Sequence, residues 1–238
     1  MRKVACSPAP LPPLAGGYQS ARCARKSRGL RTRNFTLRVM PKAPLRRLEL
    51  RMDPAMNFCS ACGAPVTLKI PAGDTLQRHV CDACGVIHYR NPRLVVGALP
   101  EWEDRVLLCR RAIEPRHGKW TLPAGFMENG ETVAAAAVRE TMEEACARIE
   151  LGEMYTLISV PHIHQVHVIY RSRLLDLDFA AGAETLELRL FSEDEIPWDE
   201  IAFRTIAITL KHFFADRRAG QYHFHTEDLT TPPRQALR

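Results

Sequence analysis

The chain has no apolar run of 18 or more residues, so no transmembrane helix is predicted. Its first 51 residues hold a single acid, Glu49, against 13 Lys and Arg, and no apolar periodicity persists there. That segment is expected to be disordered. It also lacks the apolar stretch of a secretory signal peptide. Two readings stay open: an Arg-rich transit peptide, or a start placed too far upstream with Met52 or Met56 as the true first residue. The lack of a clear amphipathic helix favours the second. The positive charge is confined here. The whole chain has 33 bases and 27 acids, and after residue 51 there are 20 bases and 26 acids, so the body is acidic. Neither a helix-turn-helix nor a basic groove pattern accompanies it, and no nucleic-acid partner is expected. At 46% hydrophobic residues, disorder of the whole chain is excluded. The 238 residues suit one sizeable domain and a small one. The chain also lacks the cysteine spacing of a disulfide framework, since four of its eight cysteines fall in two CxxC pairs.

Those pairs are Cys59-x2-Cys62 and Cys81-x2-Cys84, separated by 18 residues. Four thiolates at this spacing suit tetrahedral zinc, and such a closed set leaves no open position for water, so the role is structural. Gly63 and Gly85 each follow a second cysteine, where a tight knuckle favours glycine. A zinc ribbon is expected over 56–90. His79 and His88 lie near but are not needed as ligands. Cysteine used this way points to a reducing compartment and hence the cytoplasm, or an organelle if residues 1–51 are a transit peptide.

Beyond residue 91 the pattern turns to strands. Leu94–Leu99 and Val106–Cys109 predict a hairpin with a polar tip at 101–104, and a short strand is expected at 119–122. A loop over 123–131 leads to a helix from Thr132, its N-cap, to Ala147. Strands follow at 154–160, 166–176 and 186–191, then a helix over 199–218. The main domain is expected to span 91–225, with 226–238 as a loose tail.

The helix carries the chemistry. Glu140, Glu143 and Glu144 stand at i, i+3 and i+4 and share a face, where like charges repel unless cations neutralise them. Hard carboxylate oxygens suit Mg²⁺ or Mn²⁺. Arg139 can hold Glu143 at i+4, and Glu131 can approach from the preceding loop. A solvated acidic face is the competing reading.

The segment resembles the Nudix box, Gx5Ex7REUxEExGU with U a bulky aliphatic. Gly125, Glu131, Arg139, Glu140, Glu143 and Glu144 match at the required spacing. Thr141 and Ala147 replace aliphatics and Cys146 replaces the late glycine, departures that touch packing and the helix end. The likeness extends over 56–225. The ribbon, Asn91-Pro92, Trp120–Phe126 and Glu195–Phe203 are similar to a zinc-ribbon group with ADP-ribose pyrophosphatase-like proteins and an FAD pyrophosphohydrolase. The SQPWPFPxS stretch of NADH pyrophosphatases is absent from Tyr155–Gln165, which argues against NADH.

The resemblance implies an α+β fold, an α/β/α sandwich with a mixed sheet, behind the ribbon. It implies metal-dependent hydrolysis of a nucleoside diphosphate linked to another group, ADP-ribose or FAD. Glu140, Glu143 and Glu144 become the ligands of Mg²⁺ or Mn²⁺, with Glu143 or Glu144 polarising water, Arg139 and Glu131 supporting them, and Gly125 on the substrate side. Glu184, in a loop before a strand, stands where some members carry an extra base or ligand. His162, His164 and His167 read as surface strand histidines, Trp120 as core, and Cys109 and Cys146 as small buried hydrophobes. A nucleotide sensor without catalysis, its ribbon contacting a macromolecule, is the alternative, which the intact carboxylates disfavour. Nothing in the pattern decides between a monomer and a homodimer.

Overall fold

The protein is described by a computed structural model over residues 56–232; residues 1–55, which include the N-terminal segment 1–51 and Met52, and residues 233–238 lie outside the described residues. The ribbon is a three-stranded antiparallel sheet in the order β1 (Val66–Lys69), β2 (Arg78–Cys81), β3 (Ile87–His88). Few of its side chains are buried: Cys59, Val80 and Cys81. Phe58, Leu68, Ile70, Leu76 and Tyr89 are exposed.

A second, mixed sheet follows. Its strands are β4 (Arg93–Trp102), β5 (Arg105–Arg111), β6 (Trp120–Thr121), β7 (Ala124–Phe126), β8 (Ile149–Val160), β9 (Gln165–Leu174), β10 (Thr185–Phe191) and β11 (His225–Asp228). The order is β10-β5-β4-β9-β8-β11, with β6 beside β5 and β7 beside β4. β4–β9 and β8–β11 are parallel and the other pairs antiparallel.

Two helices, α1 (Val133–Ala145) and α2 (Arg204–Ala219), cover opposite faces. The period-2 alternation of strands decides which residue meets which helix. In β5, Val106 and Leu108 join Ile206, Leu210, Phe213 and Phe214 of α2, whereas Leu107 and Cys109 join Ala145 of α1. Buried on both faces, β5 therefore reads as a continuous apolar run. Val96 of β4 meets Ala136 and Ala137, whose small side chains bring α1 close to the sheet. This is the α/β/α sandwich with a mixed sheet that the motif implies.

Several boundaries differ from expectation. The hairpin tip is only Glu103–Asp104, because Glu101 and Trp102 pair with Val106 and Arg105. The loop 123–131 contains β7, which adds to the β4 edge at Val95–Gly97. β8 starts at Ile149 instead of 154, since its polar first half pairs with the polar end of β9, Glu150 opposite Arg173. α2 starts at Arg204 instead of 199: Ile201 bridges Trp120, and Ala202 N donates to Trp120 O at 2.8 Å, which holds these residues extended. The largest difference is the expected loose tail from 226. Residues 225–228 pair in parallel with Thr156–Ser159, and Leu229 is buried among Ile158, Val160 and Ile208. His225 Nε2 also lies 2.8 Å from Asp216 Oδ2 of α2. These partners are distant in sequence and leave no local pattern.

Candidate active site and metal centre

α1 begins where expected. The Thr132 side chain accepts from Ala135 N at 3.1 Å, and an alanine-rich stretch follows. Thr141, which replaces an aliphatic, is fully buried and donates from Oγ1 to Ala137 O at 2.8 Å, so its hydroxyl is satisfied within the helix.

The acids of α1 are not equivalent. Glu140 and Glu144 are buried and turn toward β7, while the Glu143 side chain is 58% exposed. A Cβ on Gly125 would overlap the Glu140 carboxylate, so the glycine leaves the room in which that group sits. Glu144 Oε2 accepts from Ala124 N at 3.1 Å. Burial pushes the Glu144 carboxyl up to about 7, against the pull of the Ala124 amide; the charge of Glu140 adds to the rise, Arg111 opposes it, and Glu184 adds a further push. Burial also raises Glu140, against its contact with Arg139.

Arg139 gathers the remaining acids. It donates to Glu131 through Nε at 3.0 Å and Nη2 at 2.7 Å, and through Nη1 to Glu140 at 2.7 Å and Glu143 at 3.0 Å. Nη2 also reaches Phe126 O at 3.1 Å. These bonds hold the Glu131 carboxyl down at about 2. Glu131 in turn accepts from Glu128 N at 2.7 Å, which ties the box loop to the helix. One guanidinium thus faces Glu131, Glu140 and Glu143, with Glu144 beside them. A divalent cation would supply the missing positive charge, and the donor set of hard oxygens fits it. Among the described residues, only the four cysteines have donor atoms already converged on one point. The glutamates offer theirs along the helix, an arrangement suited to a cation that keeps waters and meets substrate phosphates.

Glu184 is exposed, but its loop is fastened to α1. Ala180 N donates to Ala145 O and Gly182 N to Glu144 O, both at 3.0 Å. Gly182, Ala124 and Arg111 escaped the sequence reading because their parts in the site come from backbone proximity and longer-range charge, not from residue spacing. Phe126, the last residue of the Trp120–Phe126 stretch, carries no site signal in its spacing. It is 46% exposed, the Arg93 guanidinium lies 4.6 Å over its ring, and both line a cleft of about 390 Å³ with Met127, Glu128 and Asn129.

The histidines do not converge. His162 Nδ1 lies 3.2 Å from Leu229 O, His164 occupies a left-handed turn, and His167 Nε2 lies 2.9 Å from Gln165 Oε1. His167, expected at the surface, is half-buried, and desolvation lowers it to about 4. Trp120 and Cys109 are core, as expected, but Cys146 is exposed. It follows the last residue of α1 at φ 47°, the left-handed position that stops a helix and favours glycine. Cys146→Gly is therefore expected to stabilise the fold by about 0.5–1 kcal/mol, a rise of a few degrees in Tm. A melting curve at or below the parent's would contradict this.

In the ribbon, the Cys59–Cys84 and Cys62–Cys81 sulfurs are 3.7 and 3.5 Å apart, and all four lie within 4.8 Å of one another. Tetrahedral Zn–S bonds of about 2.3 Å place sulfurs about 3.8 Å apart, so the set fits zinc as it stands. The amides of Cys84 and Ala83 lower the Cys81 thiol to about 7. His88 Nε2 lies 3.3 Å from Cys59 Sγ, a contact that orients the ligand.

Comparison with known proteins matches both units, one after the other in sequence. A family described as Nudix N-terminal, a zinc ribbon, matches residues 57–90, and the NUDIX domain matches residues 91–213. A crystal structure of a NUDIX hydrolase from Nitrosomonas europaea is 56% identical, covers 74% of this chain and 100% of its own, and superposes with a TM-score of 0.72. An ADP-ribose pyrophosphatase of Methanocaldococcus jannaschii is 28% identical over 46% of this chain and 67% of its own length. The NAD-capped RNA hydrolase NudC of Stutzerimonas stutzeri is 30% identical over 69% of this chain, and the match spans 58% of that protein.

Proposed function

Because the chain belongs to the Nudix hydrolase family, we propose that it hydrolyses the pyrophosphate bond of a nucleoside diphosphate linked to another group, with ADP-ribose or FAD as its substrate. The observation that carries this reading is the carboxylate cluster: Glu140 and Glu144 buried against β7, and Glu143 and Glu131 gathered by one arginine. Burying acids together is unfavourable, and a surface with no chemical task has no reason to keep them so.

In this reading Glu140, Glu143 and Glu144 hold Mg²⁺ or Mn²⁺. The bound cation supplies charge neutralisation for the pyrophosphate and activation of water near neutral pH. Arg139 keeps the acids apart and in register until they are engaged. Gly125 leaves the space that Glu140 and the substrate share. Glu144, or Glu143 beside it, accepts the proton of the attacking water, with Glu184 facing them from the loop. Phe126 offers an aromatic platform for a flat group of the substrate, next to the box loop. The ribbon thiolates fit a reducing compartment, either the cytoplasm or an organelle reached through residues 1–51.

The test is a panel of ADP-ribose, FAD and NADH with Mg²⁺ or Mn²⁺, using full-length zinc-loaded protein and identifying the products by mass. AMP with ribose 5-phosphate, or AMP with FMN, is expected. Phe126→Ala is expected to raise KM about tenfold with little change in kcat, the scale of one lost stacking contact. No cleavage of ADP-ribose or FAD with either cation, or cleavage without a cation, would overturn the reading. An unchanged KM would remove Phe126 from the substrate site.

A further inference from the structure

Glu143 and Glu144 occupy the last turn of α1. Carbonyls there lack intrahelical donors, and helix ends fray. Cys146 N satisfies Met142 O at 2.9 Å, but two other donors come from outside the helix: Gly182 N to Glu144 O and Ala180 N to Ala145 O. At Gly182 the loop backbone lies so close that a Cβ would overlap the Glu143 carbonyl oxygen and stand 3.1 Å from Glu144 Cα. Glycine is required here by proximity and not by a left-handed backbone. The same short segment sets Glu184: Thr185 N donates to Gly182 O at 3.2 Å, and Ala112 N donates to Glu184 O at 2.8 Å.

We propose that Gly182 is a positioning residue, the contact through which the loop 175–184 clamps the last turn of α1 and keeps Glu143, Glu144 and Glu184 in register around the cation. The functional half of this inference rests on the metal-dependent reading above, and the clamp itself rests on geometry alone. A larger residue at 182 pushes the loop off the helix. Two carbonyls then lose their donors, and the turn that carries the acids frays, loosening the packing of Ala145 on Leu107 and Cys109, while the larger core on the α2 side stays folded.

The experiment compares full-length, zinc-loaded Gly182→Ala with the parent and with Ala181→Ser, an exposed neighbour. Amide hydrogen exchange over residues 140–146 is expected to quicken in Gly182→Ala alone. Titration with Mn²⁺, followed by its paramagnetic signal without substrate, is expected to show about tenfold weaker binding, the usual effect of disturbing a ligand's support. On a cleaved substrate, kcat falls and KM changes little. Should Gly182→Ala not fold, Ala180→Pro, which removes the amide donated to Ala145 O and leaves Gly182 in place, is expected to move exchange and Mn²⁺ binding the same way. Parent-like exchange over 140–146 in the folded variant, or an unchanged Mn²⁺ titration, overturns the proposal. A parent that binds no Mn²⁺ and cleaves nothing overturns the functional reading, while the exchange data still decide the clamp.

Discussion

Replacing Glu143 or Glu144 by Gln is expected to lower kcat by about 10²–10⁴, the range for losing a general base or an electrostatic stabiliser. Each change keeps side-chain size and helix propensity and removes one negative charge from the cluster. The two variants should part company in stability. Glu143 is exposed and its carboxylate pairs with Arg139 near the surface, so its replacement is expected to leave the melting temperature nearly unchanged. Glu144 is buried, and its carboxyl sits near 7 instead of the ordinary 4.5. A folded-state value raised in this way favours folding below the ordinary value, and that contribution is lost as pH rises through 7. At pH 8, with zinc retained and no other metal added, Glu144→Gln is therefore expected to be more stable than the parent, on the order of 1–3 kcal/mol. Its amide oxygen can still accept from Ala124 N. Lower turnover with equal or higher stability separates a catalytic cluster from a solvated acidic face. Parent-like turnover in both variants, on a substrate the parent cleaves, would remove these residues from the mechanism.

Loss of zinc is expected to unfold the ribbon while the sandwich persists. Among the described residues the ribbon buries only Cys59, Val80 and Cys81, while Phe58, Leu68, Ile70, Leu76 and Tyr89 stay largely in water. An element this small, with so little apolar burial, is not stable by itself. Metal binding of about 10 kcal/mol or more is the usual source of stability for such sites. The protein is expected to contain one zinc per chain. Cys81→Ser is expected to lose the metal and the amide protection of residues 57–90, with protection of β4, β5 and β9 retained. A metal-free protein with an intact ribbon, or a fully folded Cys81→Ser variant, would contradict this.

Both centres were legible for the same reason. Metal-type ligand sets and helix faces are encoded at fixed short spacings, so two CxxC pairs and the run from Gly125 to Ala147 can be read without knowing the fold. Strands buried on both faces were legible as apolar runs, which is why β4 and β5 were found and the polar first half of β8 was not. Cys146 was misplaced because the motif leaves a glycine at that position. A cysteine there suggests a buried thiol, but the helix ends in a left-handed residue whose side chain faces solvent.

The amino-acid order alone determined the two CxxC pairs, the acidic helix, its N-cap and the family resemblance, since each depends on neighbours within one or two turns. Tertiary structure decided the rest. It buried Glu140 and Glu144 but not Glu143, because β7 adds to the β4 edge beneath α1 and Gly125 makes room there. It turned the expected loose tail into β11, because Thr156–Ser159 offers an open edge and Ile158, Val160 and Ile208 a site for Leu229. It brought Gly182 and Glu184 to the end of the acidic helix, about 40 residues away in sequence, because that helix end leaves carbonyls that need donors and the loop before β10 is the backbone within reach.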